Sequence, residues 1–516
     1  MCVARWCVVG LRLADPLIGL SAIGDVGRGR EPGQAARTCF IACRLARSVD
    51  ADEETVQQSF YAALLQHIGC VAHAHDTGAL DGGRNIEVNA AADETDFSRP
   101  ADILNRFLVE LSPEAGLLKR LGLTLPARRM GRVLYQTSCE VAESTARRIG
   151  LPEGVQATVR HLSEWYNGKG GFLGRKGEEI PLAARIVPAA FTASLFDLLA
   201  GPDAAVAALR ARAARVIDPA VAEAFSRDGA NILAELAAVD LLRRLPDEEP
   251  EPPLRVPDGA IDEIAVAFGE AVDLKAPFTH GSARRAFELA GAAGSALGLE
   301  DAVVAQARRA AALRDIGKAA ISNAVIEKAG PLTELEWEAV RLHAYHSERV
   351  LSRSPALASE AALAGMHHER LDGSGYHRGA VGSSIPMAAR VIAATDALVA
   401  MTQPRPYRPA MSLDQACETL GRDARGGRFD SDAVSGAVAA AHGAGGRILR
   451  AAPAGLTDRQ IEVLRLIAEG LSNRQIAERL VVSPRTAEHH VQDIYLKIGT
   501  SSRAAAALFA LEHQLL

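Results

Sequence analysis

Residues 369–394 read ERLDGSGYHRGAVGSSIPMAARVIAA, and residues 164–189 read EWYNGKGGFLGRKGEEIPLAARIVPA. The two stretches align without gaps and are identical at eleven of twenty-six positions. The identities include four glycines at the same spacing and the run Ile-Pro-x-Ala-Ala-Arg. Glycines at fixed spacing imply the same backbone turns, so this repeat predicts a tandem duplication of one domain.

The similarity between the two copies extends upstream of the glycine-rich stretch. The segment ALLQHIG (63–69) parallels AALRDIG (311–317), and each follows a stretch of helical character. The shared residues are those that determine the fold. The two copies therefore need not share their chemistry.

The composition indicates the fold class. With 516 residues the chain is too long for a single hydrophobic core, and about three domains are expected. It is 48% hydrophobic and rich in alanine, with only 4% aromatic residues. Alanine and leucine favour helices, whereas strands recruit aromatic side chains, so we expect an all-α protein.

Two segments are predicted to be linkers. RLPDEEPEPPLRVPDG (244–259) combines proline with acidic residues, and HGAGGRILRAAPAG (442–455) is rich in glycine and alanine. They divide the chain into three predicted domains, at 10–243, 259–441 and 452–516.

The charge and the cysteines limit the class of protein. A formal net charge of -6 argues against a chain that coats nucleic acid non-specifically. The seven cysteines are scattered and never spaced as Cys-x-x-Cys, which is typical of reduced thiols rather than a zinc cluster. The apolar N-terminus is interrupted by Arg5, Arg12, Asp15 and Pro16. We therefore expect a soluble, cytoplasmic protein that has no membrane partner.

The second copy resembles the HD-GYP family of metal-dependent phosphohydrolases, which hydrolyse cyclic dinucleotides such as cyclic di-GMP. The resemblance is carried by residues 280–300, 313–337, 341–351, 366–379 and 394–408, which include LRDIGKAAISNAVIEKAG, RLHAYHSERVL and MHHERLDGSGYHRG. It implies a helical HD-type domain. Because the first copy repeats the second, both are expected to be HD-GYP-like, the first in degenerate form.

The resemblance also implies a metal site. Imidazoles and carboxylates from several helices would hold two or three divalent cations, Fe or Mn, that acidify a water for attack on a phosphodiester. The candidate catalytic residues are Asp315, which would bridge two metals, and Lys318, which would contact a phosphate. The metal ligands carried over by motif are His280, Asp315, His343, His367, His368 and Asp396.

Two residues depart from the family pattern. The His-Asp pair that names the family is Arg314-Asp315 in this sequence, and the Gly-Tyr-Pro signature is Gly375-Tyr376-His377. A guanidinium is a permanent cation that repels a metal ion. If Arg314 turns away, a bimetallic site survives on the other ligands; if it lies inward, it pairs with Asp315 and takes the place of a metal. Whether the domain is an enzyme therefore depends on this side chain.

In the first copy the ligand positions have lost their metal-binding residues. The matching residues of the first copy are Gln66-His67 for Arg314-Asp315, Ser138 for His343, Leu162-Ser163 for His367-His368, Phe191 for Asp396, and Pro32 or a neighbour for His280. The predicted role of this copy is sensing, dimerisation or packing. A separate metal site at His67, His73, His75 and Asp76 is the alternative to polar residues at a helix end.

Residues 456–516 closely resemble a LuxR-type helix-turn-helix domain. The residues independently predict four helices, because Thr457 with Gln460 and Ser472 with Gln475 form capping boxes and Ser483-Pro484 begins a third helix. Gly470 and Gly499 stand where helices end. The helix from Pro484 to about Ile498 would then enter a major groove of double-stranded DNA.

The predicted DNA contacts lie on and beside this helix. Arg485 is exposed near its start, and the resemblance places Glu488, His489 and Gln492 towards the bases. Ser472, Asn473, Thr486 and Lys497 would contact the phosphate backbone. Residues 456–516 contain seven basic and seven acidic residues, so a single copy should bind DNA weakly and a homodimer is expected.

Two functional hypotheses remain open. In the first, the chain is a transcription regulator whose HD-GYP-like region senses or hydrolyses a cyclic dinucleotide or another nucleotide. In the second, it is an active metal-dependent cyclic di-GMP phosphodiesterase with a DNA-binding tail. A purely structural scaffold would have lost ligand residues from both copies, and the second copy keeps six.

Overall fold

The computed structural model describes residues 10–75, 78, 82–114, 116–443 and 453–516. The regular secondary structure of these residues is almost entirely helical, which confirms the expected all-α class. The described strands are β1 (Leu11–Arg12) and β2 (Arg255–Val256), which pair antiparallel with Leu11 opposite Val256. Asp76, the first nine residues and most of the second predicted linker lie outside the described residues.

Thirteen helices are labelled among the described residues of the first half. In chain order these are α1 (Ala14–Leu20), α2 (Ala22–Gly27), α3 (Gln34–Ser48), α4 (Glu53–Leu65), α5 (Asn85–Glu94), α6 (Pro100–Asp102), α7 (Leu108–Leu111), α8 (Leu117–Arg148), α9 (Glu153–His161), α10 (Leu182–Ala200), α11 (Pro202–Arg212), α12 (Pro219–Ala238) and α13 (Leu241–Arg244). A π-helical turn, Ile103–Phe107, joins α6 to α7, and 3₁₀ turns occur at Ile68–Val71, Gly177–Glu179 and Leu245–Glu248.

The second half is shorter and is also built of helices joined by 3₁₀ turns. Its helices are α14 (Ala260–Asp273), α15 (Ser282–Ala296), α16 (Asp301–Leu313), α17 (Asn323–Ile326), α18 (Glu334–Arg341), α19 (His343–Leu351), α20 (Ala358–Ala364), α21 (Met387–Thr402), α22 (Leu413–Arg425) and α23 (Ser431–Gly443). The 3₁₀ turns between them are Pro277–Thr279, Ile316–Ala320, Pro355–Leu357 and Gly382–Ser384.

The C-terminal segment forms the four helices that the caps predict. They are α24 (Asp458–Ala468), α25 (Asn473–Leu480), α26 (Pro484–Ile498) and α27 (Arg503–Glu512), after a 3₁₀ turn at Pro453–Gly455. The side chains of Thr457, Ser472 and Ser483 accept hydrogen bonds from backbone amides in the first turns of α24, α25 and α26. Gly499 ends α26 in the left-handed conformation, so the predicted boundaries are confirmed.

The two halves share one hydrophobic core. A single cluster of buried residues runs from Leu13 in the first half to Ala364 in the second, and α1 and α2 pack against the second half. The stretch 244–259, predicted to be a linker, belongs to this core: Leu245 and Glu248 are buried. Its buried acidic residues are neutralised, because Glu248 pairs with Arg47 at 2.7 Å and Glu249 pairs with Arg12 at 2.6 Å.

The repeated glycine loops are built alike in both halves. In the first loop Glu164 accepts hydrogen bonds from the amides of Leu173 and Arg175 at 2.9 and 3.0 Å. In the second loop Glu369 accepts the matching bonds from Arg378 and Ala380 at 3.2 and 2.8 Å. Each glutamate is buried under the loop that it holds, which explains why the glutamate and the glycines recur together.

Among the helices that the structure describes, α10 is long and apolar enough to cross a membrane by length and composition alone. Half of its most apolar window is buried inside the protein, and Ile186, Val187 and Ala190 belong to the shared core. A core helix of a globular protein meets the same criteria.

Candidate metal site and DNA-binding surface

Four side chains in the second half meet at one point. Asp315 precedes the 3₁₀ turn Ile316–Ala320, His343 begins α19, and His367 and His368 follow α20. One potential ligand atom from each of the four lies within 4.8 Å of the others. The structure therefore brings together four of the six predicted metal ligands.

The two buried imidazoles of this cluster are oriented by the backbone. Nδ1 of His343 donates to the carbonyl of Val340 at 2.5 Å, and Nδ1 of His367 donates to that of Ala364 at 2.6 Å. This assignment leaves both Nε2 atoms as lone-pair acceptors, and they lie 3.1 Å apart. A backbone partner on the far nitrogen is the usual arrangement around a metal-bound histidine.

Asp315 completes the set of donors. Its Oδ1 lies 3.3 Å from Nε2 of His343 and 3.6 Å from Nε2 of His367. This oxygen is buried and receives no hydrogen bond of good geometry from the described residues. Two imidazole lone pairs and a carboxylate oxygen converge where a cation would relieve their mutual repulsion, so these residues fit one divalent ion.

The other carboxylate oxygen of Asp315 faces two cations. Oδ2 lies 2.8 Å from Nζ of Lys318 and 3.4 Å from the guanidinium of Arg314. Burial acts to raise the pKa of Asp315, but the positive charges of Lys318 and Arg314 outweigh it and hold that pKa well below its ordinary value. Asp315 is therefore ionised.

The side chain of Arg314 lies inward. It is 1% exposed, and its Nε donates to Oδ1 of Asp396 at 2.6 Å while its Nη2 donates to Oγ of Ser282 at 2.9 Å. The guanidinium thus bridges Asp396 and Asp315, the two carboxylates that would otherwise share a second cation. Of the two orientations considered from the sequence, the structure has the one in which arginine takes the place of a metal.

The remaining two predicted ligands stand apart from the cluster. Asp396, on α21, reaches only within 3.8 Å of Nδ1 of His368, because its other oxygen is held by Arg314. His280 follows the turn Pro277–Thr279 and interacts with the backbone of Ala468 in the C-terminal domain. Burial lowers the pKa of His280 to about 4, so this imidazole is neutral.

An aromatic rim borders the cluster. The ring of Tyr376 lies 4.2 Å from that of His368, and Trp337 meets Tyr376 edge to face with ring centroids 6.2 Å apart. Burial raises the pKa of Tyr376 to about 12, so its hydroxyl keeps its proton. Tyr376 belongs to the altered Gly-Tyr-His signature, whereas neither Trp337 nor Ser282 was identified from the sequence, since their positions depend on tertiary packing.

The first half has the same local backbone without the ligands. Gly317 packs so closely on the carbonyl of His343 that a Cβ would not fit, and Gly69 packs in the same way on the carbonyl of Ser138. Ser138 therefore occupies the place of His343, as the alignment proposed. Where Asp315 and Asp396 stand in the second half, His67 and Phe191 pack edge to face with ring centroids 4.7 Å apart.

The candidate histidine cluster of the first half does not assemble among the described residues. His73 is buried and His67 is partly buried, and burial lowers the pKa of His73 to about 3. His75 is directed instead to Glu327 of the second half, at 2.7 Å. Asp76, the carboxylate of that proposed set, lies outside the described residues.

The face of the C-terminal domain predicted to contact DNA is open to solvent. The predicted contact residues on α26 are all exposed: Arg485, Thr486, Glu488, His489 and Gln492. Ser472, which precedes α25, is exposed as well. The opposite face packs the domain through Leu464, Ile476, Val491 and Ile494. This arrangement presents α26 to an external partner.

Two predicted phosphate contacts have partners inside the domain. Nζ of Lys497 donates to the carbonyl of Gly455 and to Oε1 of Gln460, both at 2.8 Å. Oδ1 of Asn473 accepts from Arg503 at 3.1 Å. Arg503 was not identified from the sequence, and its place beside Asn473 adds a cation at the predicted backbone-contacting edge.

Comparison with known proteins assigns both parts of the chain. Residues 267–433 match the HD domain family, and residues 454–510 match the luxR family of bacterial regulatory proteins. The chain is 31% identical over 419 residues to 3'3'-cGAMP-specific phosphodiesterase 3 of Vibrio cholerae serotype O1, an alignment that covers 78% of this chain and 89% of that protein. A cyclic di-GMP phosphodiesterase of Thermotoga maritima is 38% identical over 156 residues, 30% of this chain and 42% of its own length.

A solved structure shares the fold. The crystal structure of a cyclic GMP-AMP specific phosphodiesterase from V. cholerae superimposes with a TM-score of 0.57 and 28% sequence identity. The match covers 83% of this chain and 97% of the other. This structural match and the alignment with the V. cholerae relative are both longer than the match to the HD domain family, so both extend beyond residues 267–433.

Proposed function

Since this chain belongs to the HD-GYP family of HD-domain proteins and ends in a luxR-family DNA-binding domain, we propose that it is a transcription regulator controlled by a cyclic dinucleotide. The second half binds the nucleotide beside a single divalent cation, Fe or Mn, and the C-terminal domain binds double-stranded DNA. Such a protein works in the cytoplasm, and the zero net charge of its DNA-binding segment favours a homodimer on the operator.

The observation that carries this proposal is the position of Arg314. Its guanidinium bridges Asp396 and Asp315 at the centre of the site, and both carboxylates raise the pKa of this arginine against the opposing effect of burial. A permanent charge that is already paired and buried cannot give way to a second metal ion without stranding a cation in the core. A site with this arginine would hold one cation and not two, which favours recognition of a nucleotide over its hydrolysis.

Each retained residue has a role in binding. A cation held by Asp315, His343, His367 and His368 would act as a Lewis acid towards a phosphate oxygen. Lys318, paired with Asp315 and a quarter exposed, is placed to contact a phosphate. The rim formed by Tyr376 and Trp337 offers aromatic faces, on which nucleobases stack.

The second candidate function is an active phosphodiesterase with a DNA-binding tail. It is favoured by the convergence of four donor residues within 4.8 Å, since one cation and an activated water suffice for slow hydrolysis. The two functions differ in turnover and not in binding.

Hydrolysis by the full-length protein distinguishes them. Purified protein is incubated with 3'3'-cGAMP or cyclic di-GMP and Mn(II) or Fe(II), and the linear product is measured beside an Asp315→Asn control. We expect bound nucleotide with little turnover. Arg314→His should raise the metal stoichiometry from one to two and increase turnover, whereas Gln66→His, the matching change in the first half, should alter neither.

Rapid turnover by the unaltered protein that disappears in Asp315→Asn would favour the enzyme. If neither nucleotide binds to the protein although metal is bound, a cyclic dinucleotide is rejected as the ligand.

DNA binding is tested separately. Fluorescence anisotropy with operator fragments selected from random DNA should show that Gln492→Ala weakens binding by about tenfold and relaxes specificity, because it removes one base contact. Arg485→Ala should weaken selected and random DNA alike. Equal binding of all sequences by the unaltered protein would contradict the regulator.

A further inference from the structure

The C-terminal domain packs on the HD core, residues 10–443, through one face of α27. Leu508 and Leu511 on α27 lie in one buried cluster with Val141 and Leu274 of the HD core. Val141 belongs to α8, a helix of 32 residues. This packing places a long helix of the HD core beside the predicted DNA-binding domain.

Polar contacts join α8 to the start of α27. Nε2 of Gln136 on α8 donates to Oγ of Ser501. Glu140, one turn later, accepts from the amide of Ser501 at 3.4 Å and from Oγ of Ser502 at 3.1 Å. Glu140 is buried, so its charge is enclosed by these contacts. The start of α27 is therefore fixed against α8.

The start of α27 also adjoins the edge of the domain that is predicted to contact phosphates. Arg503 donates from Nη1 to Oδ1 of Asn473 at 3.1 Å and from Nη2 to the carbonyl of Leu471. Asn473 begins α25 and is one of the predicted backbone contacts. Since Ser502 contacts α8 and its neighbour Arg503 contacts Asn473, α8 passes close to this edge.

The direction of α8 carries it past the C-terminal domain at this edge. Further along α8, Oγ of Ser144 donates to Glu512 at the end of α27 at 2.5 Å. The two helices therefore run in the same sense. The residues of α8 that precede Gln136 extend beyond the start of α27.

Arg132 lies on this extension of α8. It precedes Gln136 by one helical turn, a rise of ~6 Å, and residues four apart share a face of a helix. The side chain of Arg132 is exposed and makes no ion pair or hydrogen bond with any residue that the structure describes. An exposed guanidinium thus stands on the face of α8 that meets the C-terminal domain, one turn past the contact.

The sequence around Arg132 is basic throughout. Residues 115–139 contain five basic residues and no acidic one, in a chain whose formal net charge is -6. The five are Lys119, Arg120, Arg128, Arg129 and Arg132. Residues 456–516 have as many acidic as basic residues, whereas duplex DNA carries one negative charge per ~1.7 Å. The basic run of α8 supplies the positive charge that the C-terminal domain lacks.

We propose that α8 binds the phosphate backbone of double-stranded DNA beside the C-terminal domain, with Arg132 as one of the phosphate contacts. This inference rests on the proposed function, because it adds a second surface to the same complex with DNA. α26 reads the bases, and α8 adds affinity that is independent of sequence. The HD core is then itself part of the DNA-binding surface.

Replacement of Arg132 tests this contact. Arg132→Gln is compared with Arg243→Gln, which removes the same charge from α13, where the side chain is 89% exposed and pairs with Asp240. Fluorescence anisotropy measures binding of each full-length variant to selected and to random duplexes over a range of salt concentrations. Loss of one phosphate contact should weaken binding to both duplexes by about eightfold at 0.1 M salt and reduce the slope of log K against log salt by about 0.9. Arg243→Gln should change neither quantity.

A conservative variant separates charge from packing. Arg132→Lys keeps a cation that can approach a phosphate, so it should retain the salt slope and most of the affinity. Thermal unfolding should be the same for all three variants and the unaltered protein. If Arg132→Lys loses as much affinity as Arg132→Gln, the effect does not come from charge and the proposal is overturned.

The outcomes separate this inference from the proposed function. If the unaltered protein binds no duplex, the proposed function fails and the contact of α8 fails with it. If it binds the selected duplex while Arg132→Gln keeps the same affinity and slope, the contact is overturned and the proposed function stands. Equal weakening by Arg132→Gln and Arg243→Gln would reveal a long-range effect of net charge, which also overturns the contact.

A photo-cross-link measures the proximity of α8 to DNA directly. Val133 and Leu199 are both 49% exposed, the first beside Arg132 and the second on α10. Each is replaced by p-benzoylphenylalanine in the full-length protein, which is then irradiated with radiolabelled duplex. The residue at 133 should cross-link to DNA and the residue at 199 should not. Equal cross-linking at both positions contradicts the proposal. Arg132-dependent binding to phosphatidylglycerol vesicles, with no effect on DNA, would assign the basic run to a membrane instead.

Discussion

The two halves of this protein share the local geometry of two glycine-bearing segments and differ in the side chains that lie beside them. Glu164 and Glu369 hold the same glycine loop, and Gly69 and Gly317 pack on equivalent carbonyls. Yet an aromatic pair, His67 with Phe191, fills the first half where two carboxylates and a buried arginine fill the second. Residues required by the fold persist in both halves, whereas residues required by the chemistry persist in one.

The two halves also differ in how the fold accommodates the loss of metal ligands. In the first half Phe191 stands at the position of Asp396 and packs against His67, and burial lowers the pKa of that histidine well below its ordinary value. In the second half a ligand position is occupied by Arg314, which brings its own charge and neutralises Asp396 and Asp315. In the second half a buried cation therefore compensates the negative charges of the carboxylates. Three histidines and one carboxylate remain able to hold a metal cation.

The largest expected contrast between the halves is in metal binding. His367→Ala should weaken binding of Mn(II) by more than about a hundredfold, because loss of a direct ligand exceeds the ~10–100-fold cost of losing an outer hydrogen bond. Leu162→Ala, the matching change in the first half, should leave the affinity unchanged. Isothermal titration calorimetry measures both; equal losses would show that the first half also holds metal.

The glycine loops should respond alike. Glu164→Ala leaves three amides without their acceptor and Glu369→Ala leaves two, so each should destabilise the fold by about 2–5 kcal/mol. Urea denaturation measures the loss. Glu369→Ala should weaken Mn(II) binding as well, whereas Glu164→Ala should not. If either substitution leaves the unfolding free energy unchanged, the two loops are not structurally equivalent.

The smallest expected effect is on stability in acid. Burial lowers the pKa of His73 to about 3, below the ~6.5 of an unfolded histidine. Between these values the unfolded chain binds a proton that the folded chain refuses, so stability falls as pH falls, by up to ~1.4 kcal/mol per unit for this group.

Replacement of this histidine tests its contribution. His73→Asn should flatten the dependence of the unfolding free energy on pH between 6.5 and 4 and should leave Mn(II) affinity at pH 7.5 unchanged. An unaltered slope would mean that other groups dominate the acid transition, while altered metal affinity would return His73 to the set of candidate ligands.

The sequence was most informative where the signal is local. The capping residues Thr457, Ser472 and Ser483 located three helix starts of the C-terminal domain, because a side-chain cap and its amide lie within one turn. It was misleading at 244–259, where proline and acidic residues indicate a linker. There the charges of Glu248 and Glu249 are neutralised by arginines distant in sequence, which no local pattern reveals.

By itself the sequence determined the helical class, the duplicated glycine loops, the LuxR-type domain and the residues able to ligate a metal, since each depends on spacing along the chain. Tertiary structure alone decided that four of six ligand positions converge, that Arg314 lies between two carboxylates, and that the C-terminal domain packs on the HD core through α27. Those outcomes depend on how helices far apart in sequence pack, because burial decides whether a charge is paired, displaced or left beside a metal.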